Sequence, residues 1–302
     1  MRVLITGASG QLGWALRRAA PKDAAVAAFS RQELDIADAP AVARAVTDFG
    51  PEVILNAAAF TAVDRAETEP EAAFAVNAVG AGNVARAAAA GGAFLVHVST
   101  DFVFDGAAVR PYPPDAGTNP LGVYGTSKVA GEERVRQEAG ETSLILRSSW
   151  LYGSQGHNFV KTMLRVMGER DQVKVVADQM GAPTWTRSLA DAIWAAAAEK
   201  LTGVHHWSDA GVASWYDFAV AIQEKALEIG LLRRRVPVHA IASEDYPTAA
   251  RRPRYSVLDT SALRDALGVS PRHWQISLGD MLKELKEQVG CGDSLSRAAQ
   301  GS

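Results

Sequence analysis

The fold is decided near the start of the chain by residues 2–13, which read RVLITGASGQLG. Their first five residues are a short apolar run of the kind that forms a strand buried on both faces of a parallel sheet. Glycines follow at every third position, and the sequence then becomes helical. Gly7 permits a tight turn, Gly10 lets backbone approach a pyrophosphate, and Gly13 lets the helix pack closely on the sheet. The pattern predicts a dinucleotide-binding turn that opens an α/β fold.

The same alternation of strand and helix continues through the first half of the chain, which is typical of βαβ units and a parallel sheet. Beyond the fifth strand-like run it breaks down. We therefore predict an α/β fold: a Rossmann-type doubly wound parallel sheet over residues 1–150, with a smaller C-terminal substrate-binding domain built from 151–183 and 209–289. Residues 184–208 are expected to return to the first domain, and 290–302 to form a disordered tail. The later strands are predicted at 24–29, 51–55, 94–98 and 142–147.

Composition restricts the classes of partner. Of 302 residues, 48% are hydrophobic and 22% charged, as in ordinary globular proteins, and the net charge of −3 gives no reason to expect nucleic acid or an anionic membrane. The single cysteine, Cys291, rules out an intrachain disulfide and a thiolate metal cluster. The sequence shows neither a targeting segment nor a run of about 20 apolar residues. We expect a cytoplasmic protein without nucleic-acid or membrane partners.

A second informative stretch, residues 121–132, reads LGVYGTSKVAGE and is expected to begin a helix. Tyr124 and Lys128 are four residues apart, so both side chains leave the same face of that helix. An ammonium beside a phenol favours the phenolate and lowers its pKa. Such a phenol is a candidate general acid that protonates a ketone oxygen while a hydride reaches the carbon. Alone, the spacing also fits a surface helix with an ordinary tyrosine and lysine.

Two other strands deliver small and polar residues to the carboxyl edge of the sheet, where ligands bind in open α/β sheets. The fourth strand ends in Thr100 and Asp101, and Thr100 is a second candidate hydroxyl for the ketone oxygen. His97, inside that strand, is interpreted as a core residue. The third strand ends in residues 56–59, NAAA, whose small side chains either leave room for a cofactor or pack under a helix.

The end of the second strand indicates which dinucleotide binds. An acidic residue here would bond the adenosine ribose diol, but the chain has Ser30 and Arg31. A hydroxyl and a guanidinium suit a 2′-phosphate, which predicts a preference for NADPH with NADH still accepted. In the alternative interpretation, Arg31 points to solvent and Asp35 takes the ribose.

Aromatic and basic residues mark a second ligand-binding region. Trp150 follows the fifth strand and fits a core anchor as well as a wall that stacks on a sugar or base. Arg251, Arg252 and Arg254 cluster in an irregular segment. Their fork geometry suits a diphosphate, although solvated surface arginines are commoner.

Together these motifs resemble the extended short-chain dehydrogenase/reductases, with Gly7-x-x-Gly10-x-x-Gly13, Asn56-Ala57-Ala58, Asn77 and Tyr124-x-x-x-Lys128 at the positions that this family uses. More narrowly, the chain resembles the dTDP-4-dehydrorhamnose reductases, a resemblance that covers nearly the whole chain. The segments that carry it are 10–14, 56–64, 99–104, 147–150, 181–184 and 250–253.

The resemblance implies NADPH-dependent reduction of the 4-keto group of dTDP-4-dehydro-β-L-rhamnose to dTDP-L-rhamnose. It implies that Tyr124 is the general acid, that Lys128 tunes it and holds the nicotinamide ribose, and that Thr100 bonds the keto oxygen. Asp101 and Trp150 would contact the sugar nucleotide. The residues that it places around the cofactor are Gly10, Gln11, Leu12, Asp35, Ile36, Ala57, Ala58, Ala59 and Val98.

Two positions depart from the narrower family. Ala15 stands where some members carry a glutamate that helps hold a magnesium ion between subunits, and Phe102 stands where tyrosine is frequent. We therefore expect no metal, and a monomer or weak homodimer without a bridging ion. Two alternatives stay open: a 4-ketoreductase for another dTDP-deoxysugar, which would keep every motif, and a non-catalytic dinucleotide-binding regulatory subunit.

Overall fold

The computed structural model describes residues 1–298 and contains alternating helices and strands. Its strands are β1 (Arg2–Thr6), β2 (Ala25–Phe29), β3 (Val53–Asn56), β4 (Phe94–Thr100), β5 (Ser143–Ser148), β6 (Leu151–Tyr152), β7 (Val173–Val176), β8 (Met180–Gly181), β9 (Thr184–Trp185), β10 (Gly203–His206), β11 (Ala213–Ser214) and β12 (Val238–Ile241). Its α-helices are α1 (Gln11–Arg18), α2 (Ala39–Phe49), α3 (Val63–Ala66), α4 (Pro70–Phe74), α5 (Ala81–Ala90), α6 (Val123–Ala139), α7 (Phe159–Glu169), α8 (Thr186–Ala198), α9 (Trp215–Glu228), α10 (Ser261–Leu267) and α11 (Trp274–Ala298).

Six parallel strands form the central sheet in the order β10-β5-β4-β3-β1-β2. The chain passes from β1 outward to β2 and then returns to the other side of β1, so the strand order reverses between β1 and β3. A crevice opens at the carboxyl ends of the strands at such a point. The predicted α/β, doubly wound parallel sheet is confirmed.

Helices cover both faces of this sheet because alternate residues of each strand point in opposite directions. On one face, Ile5 and Val96 pack against α1 and α8. On the other face, Leu4 and Leu95 pack against α2, α5 and α6. Gly13 is required where α1 meets the turn, because a Cβ there would lie 2.2 Å from the Gly7 carbonyl oxygen.

The later part of the chain builds a second core around Phe218, Met167 and Leu278 from helices α7, α9 and α11. Three small two-stranded sheets frame it: β6 with β9, β7 with β12, and β8 with β11. Strand β10 extends the central sheet beside β5, and α8 packs on α1. Helix α11 runs into the segment 290–302 for which we predict disorder, and residues 299–302 lie outside the described part.

Helix α8 begins only after a short extended segment. Residues 184–185 form β9, and α8 begins at Thr186. Pro183 disfavours the α conformation at Ala182 and provides no N–H, so the chain stays extended there. Across the residues that the structure describes, no helix has the length and apolar character needed to cross a membrane.

Candidate active site

A cleft of about 550 Å³ opens at the carboxyl edge of the central sheet, and we call it the cofactor cleft. The structure brings nearly all the predicted site residues together around it. Ser30 is the exception among them: its backbone N–H donates to Glu33 Oε2 at 2.7 Å, and it is not part of the lining. The predicted residues that line the cleft are Gly7, Gly10, Gln11, Leu12, Arg31, Asp35, Ile36, Ala57, Ala58, Ala59, Val98, Thr100, Asp101, Tyr124, Lys128 and Trp150.

Tyr124 lies buried at the bottom of this cleft, beside the end of β4. Burial raises its pKa to about 12, helped by the Asp101 carboxylate and opposed by the Thr100 hydroxyl. The prediction that Lys128 lowers this pKa is therefore wrong for the structure described here. Loss of water around the phenol dominates. Lys128 directs its amine to the Val98 carbonyl oxygen instead. Tyr124 is thus a phenol that keeps its proton throughout the neutral pH range.

Thr100 and Asp101 form a small polar pair beside that phenol. Thr100 Oγ1 donates to Asp101 Oδ1 at 3.0 Å and accepts from the Phe102 N–H at 3.2 Å. Burial raises the pKa of Asp101 to about 6, opposed by hydroxyls that include those of Ser256 and Thr100. The Ser256 hydroxyl acts on this carboxyl without meeting hydrogen-bond geometry, and among the described residues Asp101 Oδ2 has no hydrogen-bond partner. A buried acceptor of this kind suits a hydroxyl of a bound ligand.

Lys128 is 1% exposed, and its amine is held by β4. Nζ donates to the Val98 carbonyl oxygen at 2.8 Å and lies 3.3 Å from His97 Nε2. Burial lowers the pKa of Lys128 to about 8, opposed by the Glu132 carboxylate. His97, interpreted from the sequence as a core residue, is buried and in contact with a predicted catalytic residue.

Two side chains that the spacing of Tyr124 and Lys128 does not reveal hold the start of α6. Glu67 Oε1 accepts from the Val123 N–H at 2.8 Å, and a Cβ on Gly122 would lie 2.5 Å from that oxygen. A carboxylate at a helix N-terminus satisfies a free N–H and interacts favourably with the helix dipole. Asn77 Nδ2 donates to Ser127 Oγ at 3.0 Å and thus braces the next turn.

A second cavity of about 870 Å³ adjoins the cofactor cleft. Arg251, Arg252 and Arg254 all line it, as the sequence suggests for a diphosphate site. Arg252 also lines the cofactor cleft, and its Nη2 pairs with Asp64 Oδ2 at 2.7 Å. Trp215 lines both cavities. The two spaces therefore meet at this tryptophan and arginine.

Comparisons with known proteins agree with this geometry. The family model described as RmlD substrate binding domain matches residues 1–287. A dTDP-4-dehydrorhamnose reductase from Burkholderia thailandensis is 39% identical, covering 95% of this chain and 100% of its own. One from Streptomyces griseus is 43% identical, covering 96% and 95% respectively. The structure of dTDP-4-dehydrorhamnose reductase from Bacillus anthracis in complex with NADP superposes with a TM-score of 0.89 at 38% identity, covering 94% of this chain and 99% of that one.

The chain belongs to the dTDP-4-dehydrorhamnose reductase family. The narrower resemblance predicted from the motifs is confirmed.

In this member of the dTDP-4-dehydrorhamnose reductase family, Trp150 both packs and faces ligand space. Its ring stacks on Trp215 with centroids 3.5 Å apart and planes 4° apart, and a Cβ on Gly181 would overlap it. Its backbone φ is +47°, unusual for a residue other than glycine. Strained backbone of this kind persists where packing enforces it, often at functional sites. The packing agrees with the core-anchor interpretation, and the ligand-wall interpretation stays a prediction for a side chain that also lines the cofactor cleft.

Proposed function

We propose that this chain reduces the 4-keto group of dTDP-4-dehydro-β-L-rhamnose with NADPH to give dTDP-L-rhamnose. Family membership over nearly the whole chain is the observation that carries the proposal. The site supports it because Tyr124, Thr100 and Lys128 line the same cleft as the residues predicted to bind the dinucleotide.

The residues of the cleft fit a dinucleotide. Gly7 has φ +70°, and a Cβ there would lie 2.7 Å from the Ala58 nitrogen, so the turn that would cradle the pyrophosphate has no room for a side chain at this position. The N-terminus of α1 adjoins this turn, where free N–H groups favour a phosphate. When bound, the nicotinamide supplies the hydride.

Tyr124 would act as the general acid. As the hydride reaches C4, the bond from Oη to its proton breaks and that proton moves to the former keto oxygen. Thr100 would turn its hydroxyl proton from Asp101 Oδ1 to the same oxygen and donate a second hydrogen bond to it. Asp101 Oδ2 would accept one from the sugar. Lys128 would hold the nicotinamide ribose close to Tyr124.

The second cavity would take the dTDP part of the substrate. Arg251 and Arg254 are exposed at its rim, and guanidinium groups bind diphosphates through paired hydrogen bonds. Trp150 and Trp215 would contact the sugar where the two spaces meet. In this arrangement the reacting end of the substrate would lie towards Tyr124.

The test is product identification by NMR. The protein is incubated with dTDP-4-keto-6-deoxyglucose, a 3,5-epimerase and NADPH. We expect dTDP-L-rhamnose. A different deoxysugar would favour the alternative 4-ketoreductase, and no turnover would favour the non-catalytic regulatory subunit.

Arg31→Ala is expected to lower the ratio of the kcat/KM values for NADPH and NADH about tenfold. Arg31 lines the cleft, but its Nε lies 3.7 Å from Asp35 Oδ2 and its side chain is 68% exposed. Because solvent screens this exposed side chain, we expect its hydrogen bond to the 2′-phosphate to contribute a free energy at the lower end of the range for charge-assisted hydrogen bonds, roughly 1.5 kcal/mol. Asp35→Asn is the matched control: removal of the charge that competes for Arg31 should raise the ratio. An unchanged ratio in Arg31→Ala would show that Arg31 does not read the 2′-phosphate.

We further propose that the protein is cytoplasmic and is a monomer or weak homodimer without a bridging metal. Ala15 is buried in α1 and offers no carboxylate to an ion. Treatment with EDTA is therefore expected to leave both the hydrodynamic radius and the turnover rate unchanged. Dissociation of a dimer on chelation would contradict this proposal.

A further inference from the structure

The side chain of Gln11 joins the glycine turn, residues 7–13, to the segment that precedes α7. Gln11 Nε2 donates to the His157 carbonyl oxygen at 3.0 Å, and Gln11 Oε1 accepts from Asn158 Nδ2 at 2.9 Å. A Cβ on Gly156, where φ is +71°, would lie 2.8 Å from Gln11 Cγ, so this segment also packs closely on the stem of the glutamine. Both polar atoms of one amide are thus bonded to a distant part of the chain.

Asn158 connects this contact to α7. Its Oδ1 accepts from the Lys161 N–H at 3.1 Å and caps the helix. Its Nδ2 donates to the Gly153 carbonyl oxygen at 2.7 Å as well as to Gln11. An asparagine amide has two N–H donors, so one side chain fixes the start of α7 against both the glycine turn and the end of β6.

Helix α7 forms part of the second cavity. The residues of α7 that line this cavity are Phe159, Thr162 and Met163. The ring of Phe159 packs on Trp215, with centroids 4.6 Å apart, and Trp215 lies where the two spaces meet. In the described structure neither Gln11 nor Asn158 lines the second cavity. Any effect of these two residues on a ligand there would therefore pass through α7.

We propose that Gln11 is a positioning residue: through Asn158, its side chain holds α7, and with it one wall of the second cavity, beside the glycine turn. The main chain of Gln11 opens α1, where the cofactor pyrophosphate would bind, so one residue serves both ligand spaces. A wall that is already held leaves less ordering to be done when a ligand binds. This deepens the proposed function and rests on it for the occupants of the two spaces, a dinucleotide and a dTDP-sugar.

A second link between the same two parts of the chain involves Asp64. Its Oδ1 accepts from the Ala250 N–H at 3.1 Å, and its Oδ2 accepts from Arg252 Nη2 at 2.7 Å. Arg252 lines both spaces and would itself bind ligand, so a variant that cuts this link would also change ligand binding directly. The link from Gln11 can instead be cut at Asn158, which lines neither space.

Two variants test the proposal, with the Kd of dTDP measured by titration calorimetry at saturating NADPH. Gln11→Met keeps an unbranched side chain and a good helix former, and it loses both hydrogen bonds. Asn158→Ser keeps a good cap for α7 and loses the N–H groups that reach Gln11. We expect each variant to raise the Kd of dTDP about threefold to tenfold, the range that one or two net hydrogen bonds represent. The double variant should raise it no further than Asn158→Ser alone, because both changes cut the same link.

Gln155→Met is the matched control, because Gln155 lies in the same segment and its Nε2 donates to Gln288 Oε1 of α11 at 3.0 Å. It removes an amide hydrogen bond that does not reach the glycine turn, so the Kd of dTDP should keep its wild-type value. Lowered melting temperatures with an unchanged Kd of dTDP in Gln11→Met and Asn158→Ser would show a merely structural contact and overturn the proposal. Additive effects in the double variant would also overturn it. Wild-type protein without affinity for dTDP would overturn the proposed function as well, so the two failures are distinguishable.

Discussion

Tyr124→Phe is expected to lower kcat by about 10²–10⁴-fold, the usual contribution of general acid catalysis, while cofactor affinity stays near the wild-type value. Phenylalanine keeps the ring that packs edge-on against Phe102, with centroids 5.6 Å apart, and loses the hydroxyl. The proton donor disappears while the walls of the cleft remain. Single-turnover rates at saturating NADPH, together with NADPH binding measured by titration calorimetry, separate the two effects.

Tyr112→Phe is the matched control for that variant. Tyr112 also carries a hydrogen-bonded hydroxyl, which donates to Asp105 Oδ1 at 2.9 Å, and its ring stacks on Phe104. It does not line the cofactor cleft, so its loss should leave kcat close to wild type. Turnover by Tyr124→Phe within a few-fold of that control would mean that another group protonates the ketone.

Local sequence patterns predict the glycine turn and the Tyr124–Lys128 pair, because both features depend on residues that are close together in the chain. The glycine turn needs a backbone conformation at Gly7 that glycine alone adopts easily, and it needs the close approach that Gly13 allows. The spacing of Tyr124 and Lys128 follows from helical periodicity. Their positions in the cleft therefore agree with the prediction.

The electrostatics of the site depend on residues far apart in the chain, so the sequence does not predict them. The pKa of Tyr124 is set chiefly by burial, and that burial comes from elements that pack over it after folding. Glu67 reaches the start of α6 across 56 residues of sequence. The stacking of Trp150 on Trp215 likewise joins two separate segments. Spacing along the chain carries no signal of such contacts.

Arg147→Leu is expected to lower the free energy of unfolding by about 3–5 kcal/mol. Arg147 of β5 is 2% exposed and Glu132 of α6 is 0% exposed. Two bonds join them, from Nε to Oε1 at 2.8 Å and from Nη2 to Oε2 at 2.7 Å. Without the guanidinium, a buried carboxylate retains Ser99 and the half-exposed Arg136 as partners, and desolvation of its charge is no longer offset. Equilibrium urea unfolding measures the loss.

Arg165→Leu provides the comparison, because Arg165 pairs with Glu169 at 2.8 Å on the exposed side of α7. Exposed pairs four residues apart contribute about 0.3–0.5 kcal/mol, so this variant should be nearly neutral. A second comparison is Glu132→Leu combined with Arg147→Leu, which removes both buried charges and should recover part of the lost stability. Equal losses in Arg147→Leu and Arg165→Leu would show that the buried pair does not hold α6 to the sheet.

The effect should also depend on pH. Burial raises the pKa of Glu132, but the hydrogen bonds and charge of Arg147 outweigh it and hold the pKa below the ordinary value of 4.5. A lowered pKa in the folded state contributes stability that is fully present above 4.5 and is lost as the pH falls through the folded value. The difference in the free energy of unfolding between wild type and Arg147→Leu should therefore be largest near neutrality and shrink in acid.

Since α6 also carries Tyr124 and Lys128, this variant should lose its activity at the temperature at which it unfolds. A variant that lost activity well below its melting temperature would instead indicate that Arg147 acts on the site itself.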